Sequence, residues 1–357
     1  TAGNATTNPT ISNGDLGAVV VDANSPGFNS VTATDDTYII GENIDITVSW
    51  YEAVNVTGVP SLSLSNGANA SYISGTGSTA LVFRYTVVSG DTDTNDLSVS
   101  SYSGTIQDAA GNAAGAVSGD LGAVIVDANA PALSSVAATD GTYKVGDDID
   151  ITVTWDHSVN VTGTPTLTLS NGASATYQSG DGTTALVFRY PVAEGNNDSS
   201  DLSVSSYSGT IEDVAGNAAD AVSGDLGAVI VDANKPTLTS VGIVSNNTVN
   251  SSFAKVGHNV TLTFTANETI NTPSVAFTSG GDAIADATVV YSNTSGNTWT
   301  AVYTIENDDT EGAVGFTISF SHTVGNNGDN VTTVTNSSSV TFDKTAPALT
   351  SVAATDG

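Results

Sequence analysis

The sequence predicts an all-β chain, a tandem array of self-contained β-sandwich domains. Three observations carry this. Short segments alternate apolar and polar side chains at period two, Gly-, Asn- and Asp-rich turns separate them at regular short spacing, and no stretch of useful length shows helical periodicity. The alternation itself recurs, with Asp22, Asp127 and Asp232 standing 105 residues apart.

The second period shows the elements in order. PALSSVAAT (131–139) reads as strand A, and DDIDITVTW (147–155) as strand B, with Ile149, Ile151, Val153 and Trp155 on one face. TPTLTLS (164–170) reads as C, SATYQS (174–179) as the next hairpin arm, ALVFRYPV (185–192) as E, DLSVSSYSG (201–209) as F and LGAVIVD (226–232) as G. Asn171-Gly172 supplies the positive φ of a tight reverse turn, and SGDGTT (179–184) is a Gly-rich loop between two strands. About seven antiparallel strands in roughly 100 residues is the immunoglobulin-like plan. Ile46, Val48, Trp50, Leu81 and Phe83 are expected to face inward, as are their partners 105 positions later.

The first two periods are copies of one domain without insertion or deletion: Trp50 maps to Trp155, Arg84 to Arg189, Asp108 to Asp213 and Asn112 to Asn217. The third is a relative that lacks the TPTLTLSNG hairpin and the DxAGN motif. Predicted boundaries are 22–126, 127–231 and 232–342 for the three repeats, with 1–21 the tail of a preceding repeat and 343–357 the start of a following one. Residues 15–21 are expected as a strand G and 346–353 as a strand A. A period of this size can bury its own core, unlike the shorter units of solenoids and propellers.

Composition restricts function. The 357 residues include 37 Asp+Glu, 6 Lys+Arg, no Cys and no Met, for a net charge of −31. Acids outnumber bases 11 to 1, 14 to 2 and 9 to 2 in the three repeats, so the charge is spread along the array. A chain without a cationic surface has nothing to exchange for the counterions of nucleic acid or an anionic membrane. The acidity suits a salty, divalent-rich exterior. No disulfide can brace the domains, no apolar run reaches membrane-spanning length, and, with no initiator Met at its start, the sequence is expected to be an internal piece of a longer protein.

The succession DxTxPxLxSV, DGTYKVGDDIDITVTW, VNVTGTPTLTLSNG, LVFRYPV and IxDxAGN resembles the tandem bacterial Ig-like repeats of giant surface adhesins, the extender regions of biofilm-associated and RTX-type adhesins. The resemblance covers essentially the whole chain. It implies a structural extender of an extracellular, cell-surface adhesin, whose partners are neighbouring repeats of the same chain or other copies in a fibre. The alternative is a subunit of an extracellular filament or sheath assembled by inter-chain strand pairing. A glycan-binding module is a third reading, but Tyr38, Tyr102 and Tyr143 are too scattered to form an aromatic platform.

Catalysis finds no support: His157, His258 and His322 are single residues in different repeats, and no Ser-His-Asp set recurs. The acids point instead to Ca²⁺, which needs several oxygen ligands. DTDTND (91–96) resembles half of a Ca²⁺ loop, yet the twelfth position is Tyr102 rather than a bidentate acid. A shared site at the Asp-Ala-Asn-x-Pro joints is the stronger candidate. Folding is expected to bring Asp35, Asp36, Asp91, Asp93 and Asp96 towards Asp127 and Asn129, with Asp156, Asp213 and Asn217 offered from the next repeat. Asp22, Asp232, Asn234, Asp140, Asp198 and Asp201 are the corresponding ligands elsewhere. Pro131 leaves such a joint little slack, so an ion there is expected to stiffen the array.

Overall fold

The computed structural model describes residues 21–284 and 288–353. Among them every regular element is a strand. The chain divides into two compact units, one of residues 1–132, 156–160 and 211–220, the other of 133–155, 161–210 and 221–357.

The first repeat contributes β1 (Phe28–Thr32), β2 (Asp36–Tyr38), β3 (Asn43–Leu64), β4 (Asn69–Ser74), β5 (Ser78–Thr86), β6 (Ser98–Gln107), β7 (Gly119–Asp120) and β8 (Val124–Val126). In β3 the period-two pattern turns Ile44, Ile46, Val48 and Trp50 inward, where they join Leu81, Phe83 and Ile106 in one core. The intervening Asp45 faces outward opposite Arg84, and the guanidinium clasps both carboxylate oxygens at 2.6 and 2.7 Å. The sheet order is β4-β5-β3-β6-β7, with β1 also on β3, while β2 and β8 form a parallel pair.

The second repeat follows the same plan: β9 (Leu133–Ala138), β10 (Gly141–Lys144), β11 (Asp148–Leu169), β12 (Ser174–Ser179), β13 (Thr183–Pro191), β14 (Ser203–Glu212), β15 (Gly224–Asp225) and β16 (Val229–Asp232). Its order is β12-β13-β11-β14-β15, with β9 on β11 and β10 parallel to β16. Ile151, Val153, Trp155, Leu186 and Phe188 are buried. The inward face is therefore the one the alternation predicts in both copies.

The third repeat has β17 (Leu238–Ser245), β18 (Phe253–Ala254), β19 (Asn259–Ala266), β20 (Ser274–Ser279), β21 (Asp282–Ala283), β22 (Val290–Ser295), β23 (Thr298–Thr304), β24 (Gly312–Ser319) and β25 (Thr341–Phe342). Two sheets, β17-β19-β23-β22 and β18-β25-β24-β20-β21, enclose Leu262, Phe264, Phe277, Tyr303 and Ile318. A tight hairpin survives there, because Gly280-Gly281 joins β20 to β21 in place of the missing Asn-Gly turn.

Two expectations change. Strands B and C are not separate, since β3 and β11 each run unbroken for 22 residues. The segment between them stays extended because its amides find partners: Val56 N–H donates to Thr76 Oγ1 at 2.9 Å, and Val161 N–H to Asp181 Oδ1 at 2.8 Å. Residues 346–353 carry no strand. In the repeats strand A gains its ladder from the following long strand, as β1 does from β3, and no such partner for 346–353 lies among the described residues. The strand expected at 15–21 falls, but for Val21, outside the described residues.

Candidate functional site

The parallel pairing of the last strand with the short strand after A aims each joint. Asp127 N–H donates to Tyr38 O at 3.0 Å, directly after β8 pairs with β2, and Asp343 N–H donates to Ala254 O at 3.0 Å. Asp232 itself pairs with Lys144 at the end of β16. The joint aspartate is thus held by the backbone before its side chain does anything.

Around Asp127 the expected residues come together in part. Asn217 is buried, and its Nδ2 donates to Asp127 Oδ1 at 3.0 Å and to Asp213 Oδ2 at 3.0 Å. Its Oδ1 accepts the N–H of Ile40 at 3.0 Å. One amide therefore latches three segments. Asp93 reaches the joint as well, accepting Ala128 N–H at 2.7 Å and Asn129 Nδ2–H at 2.6 Å, and Asp156 caps Ala132 N–H at 2.7 Å. Burial raises the Asp127 pKa, helped by the negative charge of Asp213 and Asp93 and opposed by the Asn129 N–H and by His157.

The other predicted acids serve elsewhere. Asp35 accepts Ala123 N–H and Asp140 accepts Ala228 N–H, both at 2.9 Å, so these two fix the start of the last strand. Asp36 caps Thr37 N–H, Asp96 lies beside Asp120, whose charge raises its pKa, and Asp201 is exposed. Asp91 accepts Tyr85 Oη–H at 2.7 Å and Val88 N–H at 2.9 Å. Its counterpart Asn196 accepts the same two bonds from Tyr190 and Ala193, which makes the role one of loop geometry rather than charge. Asp198 repeats Asp93, holding Ala233 N–H and the Asn234 amide.

Four matching positions recur at Asp22, Asp127 and Asp232, and each set lies within one compact unit. At Asp22 it is Asp22, Glu52, Asp108 and Asn112. Here Asn112 Nδ2 donates to Asp22 O at 3.1 Å and to Asp108 Oδ2 at 2.8 Å. One carboxylate oxygen from each of Asp22, Glu52 and Asp108 lies within 4.8 Å of the others. At Asp127 the set is Asp127, His157, Asp213 and Asn217, with His157 drawn to Asp156 at 2.8 Å. At Asp232 it is Asp232, Glu268, His322 and Asn326. Asn326 Nδ2 donates to Asp232 Oδ1 at 2.9 Å, and its Oδ1 accepts Val145 N–H at 3.0 Å.

Glu52, Asp108, Asn112, Glu268, His322 and Asn326 were not among the expected ligands. The legible signal for the last was the Gly-Asn pair: His322-Thr-Val-Gly-Asn326 keeps the spacing of Asp213-Val-Ala-Gly-Asn217 although its first residue is no longer acidic. Three hard oxygen donors converging at Asp22 suit Ca²⁺ better than a soft transition metal. At Asp232 an imidazole stands where the third carboxylate would, and the set fits a hard cation less well.

Asp108 shows how such a loop is held. Burial pushes its pKa up, but hydrogen bonds from the Asn112 side chain and from the Asn112 and Ala110 N–H groups outweigh it and leave the carboxyl below the usual range. Asp45 and Asp150 are lowered by Arg84 and Arg189. A depressed folded-state pKa contributes stability that is present above the unfolded value, about 4, and lost as pH falls through the folded value. The melting temperature should therefore drop below about pH 4, and Asp108→Asn should show a shallower drop; pH-dependent calorimetry reads both.

No protein-family model matches the chain, and no curated protein matches it. Similar solved structures are tandem immunoglobulin domains. An I-band fragment of titin shares 12% identity over 91% of this chain and 100% of that one, with a TM-score of 0.37. An E-to-A variant of three titin Ig domains shares 11% over 90% and 99%, at 0.38. The D1-D4 ectodomain fragment of ICAM-5 shares 12% over 88% and 78%, at 0.26.

Proposed function

We propose that the chain is a structural extender of a large bacterial cell-surface adhesin or surface fibre, an array of immunoglobulin-like domains whose joints Ca²⁺ stiffens so that it projects an adhesive tip. The observation that carries this reading is the recurrent joint, an Asp latched by an Asn, backbone-anchored and with the Asn buried at Asp127 and Asp232, and with three carboxylates converging at Asp22. Like charges this close repel by about a few kcal/mol at an effective dielectric near 20, and a bound cation turns that repulsion into a fixed angle. Asp127 and Asp213 offer such an ion a poorer set, since His157 stands in the place of Glu52 and the Asn217 Nδ2 already donates to both carboxylates. The buried carboxylates serve positioning, and the reading assigns them no chemistry.

Small-angle scattering of the whole chain in millimolar Ca²⁺ and in chelator, at constant ionic strength, tests it. The expected result is a longer maximum dimension and a higher melting temperature with Ca²⁺. Equal curves and equal melting in the two buffers overturn the calcium dependence.

A further inference from the structure

The three joints differ in one respect. Three basic side chains, His322, Lys235 and Lys144, lie around the Asp232 joint. His322 Nδ1 lies 2.6 Å from Asp232 Oδ2, and its Nε2 lies 3.9 Å from Glu268 Oε2. Lys235 Nζ lies 2.7 Å from Glu194 and 3.8 Å from Asp329. Lys144 Nζ sits over the loop, 3.0 Å from where a Cβ on Gly325 would be. The positions matching Lys144 and Lys235 one period earlier are Ile39 and Ala130, and that of His322 is Asp213. At Asp22 the counterpart of His322 is Asp108, which with Asp22 and Glu52 places three carboxylate oxygens within 4.8 Å of one another.

We propose that the Asp232 joint is closed by the protein's own side chains, His322 above all, and stays closed without a divalent ion, whereas the Asp22 joint needs one. An array with both kinds of joint keeps part of its stiffness when Ca²⁺ falls. The geometry supports this in two ways. The imidazole Nδ1 lies 2.6 Å from Asp232 Oδ2 and Nε2 lies 3.9 Å from Glu268 Oε2, so the ring itself stands between the two carboxylates. The ring also occupies the side of Asp232 that a carboxylate would need to share an ion with it. Half-buried, charge-assisted bonds of this kind are stronger than neutral ones. The contrast with Asp22 rests on the calcium reading above; the closure at Asp232 does not.

Hydrogen exchange of the whole chain, in Ca²⁺ and in chelator at constant ionic strength, separates the two. The amide of Val145 reports the Asp232 joint, because it is held by Asn326. In the wild-type chain its exchange should be the same in both buffers. His322→Ala should speed it roughly ten- to a hundredfold in both, the loss of one hydrogen bond to a charged group. Protected amides of β19 serve as the check that the third sandwich remains folded. Lys235→Ala, a surface change, should speed Val145 by a smaller factor and provides the second variant if His322→Ala does not fold. His322→Asp recreates the three-acid set and should make Val145 exchange chelator-dependent. The proposal is overturned if wild-type Val145 already exchanges about tenfold faster in chelator, or if His322→Ala with an intact β19 leaves Val145 unchanged. Should the Asn112 loop at Asp22 ignore the chelator, the calcium reading fails, and the His322→Ala result still decides this one.

Discussion

Phe83→Ala is expected to destabilise the first sandwich by about 3–5 kcal/mol, the usual range for emptying a buried aromatic site. Phe83 is fully buried on β5 and stands opposite Ile46 on β3, and Tyr72 of β4 meets its ring edge-on at 5.8 Å. It therefore ties the three strands β4, β5 and β3 together from the inside. A small core cannot collapse around so large a void, because its walls are side chains fixed on strands by the ladder. For a domain of about 100 residues the loss corresponds to a fall of roughly 15–30 °C in melting temperature. Phe83→Leu, which keeps most of the volume, should cost less than about 1.5 kcal/mol. Phe188 meets Tyr177 in the same way at 5.9 Å, so Phe188→Ala should have a similar effect on its own sandwich. Calorimetry of the three variants checks the series, and equal losses for Ala and Leu would show that the site is not packed as described.

Phe83 also shows why so much of the fold was readable. Where a strand has one buried face, period two names the inward residues, and Ile46, Val48, Trp50, Leu81 and Phe83 are buried without exception. The continuity of β3 through Glu52 to Val59 was not readable in the same way. That segment loses its alternation at the exposed residues 57–59, and it stays extended because Thr76 and the neighbouring strands satisfy its amides, a tertiary cause. At the joints the repeat itself was the guide. Asp127, Asp213 and Asn217 stand out in the sequence because they recur, whereas Asp232's partners were hidden once His322 replaced the acid of the motif. At Asp91 nothing in DTDTND announces that one of its carboxylates belongs to Tyr85.

The second large effect is expected at Gly75, in the turn between β4 and β5. Gly75 has φ +109°, and a Cβ built on it lies 2.1 Å from the carbonyl oxygen of Ala80 and 3.0 Å from Leu81 Cα. Those atoms are backbone of a central strand and cannot rotate away. The turn is bound on every side: Ser78 Oγ donates to Gly75 O at 2.7 Å and to Ala80 O at 2.9 Å, and Thr76 N–H donates to Tyr72 Oη at 2.9 Å. Gly180 repeats the geometry at φ +111°, again 2.1 Å from a carbonyl, that of Ala185. Gly77, two residues on, has φ +82° but only Asn55 Oδ1 near it, at 3.9 Å, and so isolates the cost of backbone conformation from the cost of the clash. Gly77→Ala should cost about 1–3 kcal/mol, the strain of a left-handed non-glycine residue. Gly75→Ala adds displacement of the β5 backbone and should cost at least about 2 kcal/mol more, in the range of overpacking a rigid interior. Because Thr76 in the same turn holds Val56, the loss should spread into β3, and the amide of Val56 should exchange faster in Gly75→Ala than in Gly77→Ala. Chemical denaturation gives the stability difference and hydrogen exchange its location; equal stabilities for the two variants would show that β5 yields where the packing says it cannot.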